Sequence, residues 1–156
     1  MEFCDELYID MQPTRLILRT ILRWTLIAIY LFVGTAHIRD PGTFLPIMPG
    51  WVPFPRQVIL VTGIWEIAGA LMMMTSRLRR VAGWMLATYA VAVYPANIKH
   101  ALDGISIGGT QLGWEYHVPR LLFQPVFVWW ALFAGNIVDW PLRRKASAMD
   151  ANLHSR

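Results

Sequence analysis

The sequence predicts an all-α protein, an integral membrane four-helix bundle with its N and C termini cytoplasmic. Three observations predict it: four long apolar runs, a shortage of charge, and an uneven distribution of basic residues along the chain. Of 156 residues, 56% are hydrophobic and 15% charged, where an ordinary soluble domain carries about 25% charged residues. Several of the tryptophans (Trp24, Trp51, Trp114, Trp140) fall near the ends of apolar runs, where amphipathic rings favour the headgroup layer.

The first span is predicted from about Leu16 to Ala36 and the second from about Gln57 to Thr75. The third follows from about Val81 to Ile98 and the fourth from about Val118 to Trp140. Each has the length that a tilted helix needs to cross a bilayer. Pro41, Pro46, Pro49, Pro53 and Pro55 argue against a helix in the first connection. Ser76 and Arg77 form a tight second turn, and Gly104, Gly108, Gly109 and Gly113 loosen the third connection. The division is thus a segment 1–15, a transmembrane domain 16–140 and a basic tail 141–156.

Orientation follows from lysine and arginine. Arg15, Arg19 and Arg23, then Arg77, Arg79 and Arg80, then Arg143, Arg144, Lys145 and Arg156 fall on one side. Only Arg39, Arg56, Lys99 and Arg120 fall on the other, which is therefore the outer side. Arg19 and Arg23 are expected to reach the interface from the first turns of the span. A cleaved signal peptide is the competing reading of the first run; the acidic lead-in of Glu2, Asp5, Glu6 and Asp10 argues against it. The net charge of +4 sits at helix ends rather than on one soluble face, so nucleic acid is not an expected partner. Cys4 is the only cysteine, which excludes an intrachain disulfide and a CxxC redox pair.

Glu66 carries most of the functional argument. It lies in the unbroken run from Val58 to Met74, and an ionisable group at the centre of a membrane helix costs roughly 2.5–3.5 kcal/mol on insertion scales. Its neighbours one turn away, Thr62, Gly63, Gly69 and Ala70, are small, so this face turns towards other helices. The third span carries the stripe Gly83, Ala87, Ala90, Tyr94, Asn97, and the fourth begins with Arg120 and Gln124. His37 closes the first span. All four helices thus bring polar groups to one depth, and Trp65, Phe123 and Phe127 are expected as apolar walls.

Each residue also has a structural reading. Glu66 reads equally well as an ion-pair partner of Arg120, and Asn97 and Gln124 as interhelical hydrogen-bonding groups. His37 and His100 lie at helix ends, where histidines commonly meet water. Glu115 and His117 match no metal-ligand spacing.

At these positions the chain resembles the DoxX-like family of small four-helix bacterial membrane proteins, over roughly Leu31 to Trp130. The similarity is carried by Gly34-Thr-Ala-His37 with Pro41 and Phe44, and by Met48-Pro-Gly-Trp-Val-Pro-Phe-Pro55. Gly63-Ile-Trp-Glu66-Ile-Ala-Gly69, Tyr94-Pro-Ala-Asn97-Ile98, and Arg120 with Gln124-Pro125 and Trp129-Trp130 follow in order. Tyr94 and Ile38 stand where phenylalanine is expected, and the third connection is long. The resemblance implies a bacterial inner-membrane subunit linked to oxidoreductases, in some relatives to quinone reduction.

Two functions follow as expectations. The first is a redox-associated membrane subunit that binds a quinone-type ligand in the outer half of the bundle. Glu66 exchanges a proton as the catalytic group, and His37, Tyr94, Asn97, Arg120 and Gln124 bind the ligand. The second is a non-catalytic assembly subunit of a larger membrane complex, with the aromatic fourth span against a partner. Beyond the lipid bilayer, the expected partners are other membrane subunits or a second copy of the chain. The sequence contains no nucleotide-binding loop and no iron–sulfur spacing, so an electron carrier has to be borrowed. A third reading, a carrier of a small solute or lipid, finds no internal repeat to work with.

Overall fold

A computed structural model describes residues 2–105 and 113–141, the first fourteen of them by backbone alone. The Gly108–Gly109 pair of the third connection and the basic tail from 142 onward lie outside the described residues. All regular structure among the described residues is helical. Three segments, Leu16–Arg39, Pro55–Met74 and Arg79–Leu102, are long and apolar enough to cross a membrane.

The first helix, α1, runs Glu2–Arg39 without interruption, and its apolar part, long enough to cross a membrane, begins at Leu16. The first connection is not free of helix, as its prolines had suggested. It holds a short helix, α2 (Pro41–Phe44), followed by a 3₁₀ turn over Leu45–Ile47. Proline is tolerated there because Pro41 occupies the first turn, where no N–H is needed. Asp40 caps that turn through Thr43.

Helix α3 (Pro55–Met74) starts from Phe54, which adopts a left-handed backbone at φ 51° and ψ 53°. The following proline disfavours the right-handed helical region for its predecessor. After a tight turn, α4 (Arg79–Ala92) and α5 (Tyr94–Leu102) form two halves of one rod, broken at Val93. Helices α6 (Trp114–Leu122) and α7 (Gln124–Ala134) repeat the pattern with a break at Phe123. Both breaks have the same cause. Pro95 and Pro125 lack the N–H that would continue the ladder, and their rings crowd the preceding turn.

Helix α7 stops at Ala134, short of the predicted end at Trp140. Asn136 takes a left-handed backbone (φ 59°) and the chain folds back. Arg19 bonds Val138 O at 2.9 Å and Asp139 at 2.8 Å, while Arg23 bonds Ala134 O at 3.0 Å and Asn136 at 3.1 Å. These two arginines therefore serve the carbonyl end of α7, the negative end of its dipole, rather than only reaching outward.

Helices α1, α3, α4 and α7 pack as a closed ring, each against the next and α7 back on α1. Near the α3–α4 turn the ring is filled by Leu26, Ile27, Ala70, Met73, Ala82, Leu86, Ala131 and Ala134. Alanines at the contacts let the backbones approach closely. The outward face is also apolar: Ile17, Phe32, Val61, Ile64, Leu71 and Val91 are exposed.

Candidate functional site

At the other end of the ring, next to the proline-rich connection, two glycines set the geometry. A Cβ on Gly34 would lie 2.8 Å from Gly63 O and 3.1 Å from Glu66 Cβ. A Cβ on Gly63 would lie 2.8 Å from Gly34 O and 2.9 Å from His37 Cβ. Each helix thus supplies the bare backbone over which the other's polar residue lies. This close crossing of α1 and α3 brings His37 Nδ1 to 2.7 Å from Glu66 Oε2. Glu66 is 1% exposed, and the Phe44 ring stands edge-on to the His37 imidazole at 4.4 Å.

Bond length and burial make this a histidine–carboxylate dyad joined by a hydrogen bond along the Nδ1–Oε2 line. The second imidazole nitrogen, Nε2, remains for another partner. Tyr89 also lines the cavity described below, and Tyr30 stands edge-on to Tyr89 at 6.0 Å.

The dyad lies in the wall of a cavity of about 450 Å³. Its lining is mostly apolar, from Ile29 and Val33 of α1 through Ile47, Met48 and Val52 of the connection to Phe127 of α7. Trp51 lines it yet is 75% exposed, and so marks where the cavity meets its surroundings. Lys99 Nζ bonds Pro46 O at 2.6 Å and ties the connection across to α5.

The two helix breaks supply the opposite wall. Asn97 Nδ2 donates to Gln124 Oε1 at 3.2 Å, and Gln124 Nε2 donates to Ala90 O, one of the last carbonyls before the break. Beside them, Arg120 Nη1 bonds His100 Nδ1 at 3.0 Å, and His100 Nε2 meets Ile105 O at 3.0 Å. A guanidinium only donates and a carbonyl only accepts. His100 is therefore neutral, with its proton on Nε2 and its Nδ1 lone pair turned to Arg120.

Of the residues singled out from the sequence, Glu66, His37, Asn97, Arg120 and Gln124 line this one cavity. Tyr94 does not: it is 37% exposed, because the break at Val93 turns it out of the stripe that joins Ala90 to Asn97. Trp65 donates to Met85 O on the outer surface and Phe123 is exposed at the break, so neither forms a wall; Phe127 does. The partner of Glu66 is His37 and not Arg120.

His100, expected to meet water at a helix end, is fully buried, with His117 edge-on at 4.6 Å. Tyr30, Tyr89 and His100 were missed as site residues. Tyr30 and Tyr89 read as ordinary aromatic members of apolar runs; their hydroxyls inside such runs were the available signal. Among the described residues no group of three or more His, Cys, Asp or Glu side chains is placed to hold a metal ion.

No curated protein and no solved structure matches the chain. The model of a family described as a domain of unknown function, DUF8561, matches residues 26–135, a stretch that contains every residue lining the cavity; the chain belongs to that family.

Proposed function

We propose that the protein is a redox-associated subunit of the bacterial inner membrane that binds a quinone-type ligand in this cavity. In this reading α1, α3, α4–α5 and α6–α7 are four spans, both termini are cytoplasmic, and the cavity opens in the outer half of the bilayer. The basic residues near the α3–α4 turn favour that orientation. The resemblance to DoxX-like proteins points the same way.

One observation carries the reading: a buried histidine–carboxylate dyad in the wall of an otherwise apolar cavity. Clefts of about 300–1,000 Å³ with apolar walls and a few convergent polar groups are typical ligand sites. Reduction of a quinone to a quinol takes up two electrons and two protons. With a proton on each imidazole nitrogen, His37 gives its Nε2 proton to one ring oxygen while Glu66 holds the imidazole in place. Water at the cavity mouth beside Trp51 supplies the second proton. The electrons come from a partner oxidoreductase, since the chain itself has no motif for an electron carrier.

The test is quinone retention and titration in lipid nanodiscs for the wild type, Glu66→Gln and His37→Gln. Loss of one charge-assisted hydrogen bond predicts roughly tenfold weaker binding or more. A wild-type protein that retains no quinone and binds none on titration would end this proposal. The assembly-subunit reading would replace it if Glu66→Gln also lowered co-purification with a larger complex.

A further inference from the structure

The geometry points to an anion-receiving end in the same cavity: Arg120 takes an ionised acidic oxygen on the head of an amphipathic ligand. The inference rests on the cavity being a ligand site and goes beyond the quinone reading by assigning the ligand a charge.

The argument is an inventory of charge. Arg120 lines the cavity and is only half-buried, so part of its guanidinium faces that space. None of the acidic side chains described forms an ion pair with Arg120. Asp40 caps α2, Asp103 pairs with Lys99 at 3.4 Å, and Asp139 pairs with Arg19 at 2.8 Å. The Glu115 carboxylate folds back over Gly113, and Glu66 holds His37 at 2.7 Å.

Among the described residues, the groups recorded against Arg120 are neutral. They are His100, whose two hydrogen bonds require the uncharged tautomer, and the Tyr116 ring, 5.7 Å from the guanidinium carbon. Neutral partners hold a cation in place without neutralising it. A guanidinium against an apolar wall without a counter-charge is costly, and an ionised oxygen arriving there offsets that cost with charge-assisted hydrogen bonds.

The ligand class is then an apolar tail with an acidic head, such as a hydroxyquinone or a long-chain carboxylate. Two matched pairs test it in nanodiscs of neutral lipid. One pair is an alkylated hydroxynaphthoquinone, ionised at neutral pH, and its O-methyl ether; the other is a long-chain carboxylate and the corresponding alcohol. In the wild type the ionised member of a pair should bind about tenfold tighter than its neutral partner. Arg120→Gln should abolish that preference, and Arg120→Lys should keep part of it.

Equal binding within both pairs by the wild type, or a preference that survives Arg120→Gln, overturns the inference. Binding of the carboxylate pair alone, with the Arg120 dependence, removes the quinone reading and leaves this one standing. Binding of neutral quinone without charge preference does the reverse. Because wild-type discrimination is itself a readout, the inference stays falsifiable even if the variants fold poorly.

Discussion

The two ends of the helical ring solve the same packing problem in opposite ways. Near the α3–α4 turn, alanines, Leu86 and Met73 fill the interior, and arginines bind the carbonyl end of α7. Near the proline-rich connection the same four rods leave a cavity, walled by a dyad on one side and by two broken helices on the other. The difference lies in where the small residues fall. Gly69 and Ala82 let side chains such as Leu86 enter between helices, whereas Gly34 and Gly63 bring two backbones together beneath polar groups. One end is built to be filled from within the chain; the other keeps room for something else.

The largest expected effect comes from emptying the filled end. Leu86→Ala should cost about 3 kcal/mol, since truncating a fully buried leucine leaves a void its neighbours close only in part. Thermal unfolding in detergent reads it, and ligand affinity at the opposite end should change little. A loss of affinity as large as the loss of stability would mean that the two ends are not separate.

Gly63→Val should follow, at about 2 kcal/mol, because its Cβ meets the Gly34 carbonyl at 2.8 Å and backbone cannot step aside as a side chain does. This substitution should abolish ligand binding as well, by forcing His37 away from Glu66. Gln124→Ala should cost about 1 kcal/mol by removing the donor to Ala90 O and the acceptor for Asn97. Amide exchange of residues flanking the Val93 break should rise in that variant. Gly50→Ala should do nothing measurable in the same melting assay, since a Cβ there meets nothing within 4 Å.

Much of the architecture was legible because it follows from composition and period. Runs of apolar residues with a Gly/Ala stripe become helices whose small face turns inward, as Gly34, Gly63, Ala87 and Ala90 do. Pro95 and Pro125 lie inside the predicted third and fourth spans, and the breaks they cause were not read from the sequence. A regular helix would keep Tyr94 on the face of Ala90 and Asn97; a break at Val93 does not. The same limit applies to Arg120. Charge alone nominates Glu66 as its partner, whereas the α5–α6 pairing sets it against His100 instead.

The amino-acid order by itself determined that this chain is helical. Of the four spans it predicted, three segments are long and apolar enough for a membrane, and it nominated Glu66, His37, Asn97, Arg120 and Gln124, which line one cavity. Those properties depend on local hydrophobicity and on residue spacing, which are written along the chain. Only the tertiary structure decided which polar group meets which: Glu66 with His37, Gln124 with Asn97 and Ala90, Arg120 with His100. Such pairings depend on the rotation of each rod and on the bend at each proline, and a few tens of degrees in either is enough to exchange one partner for another.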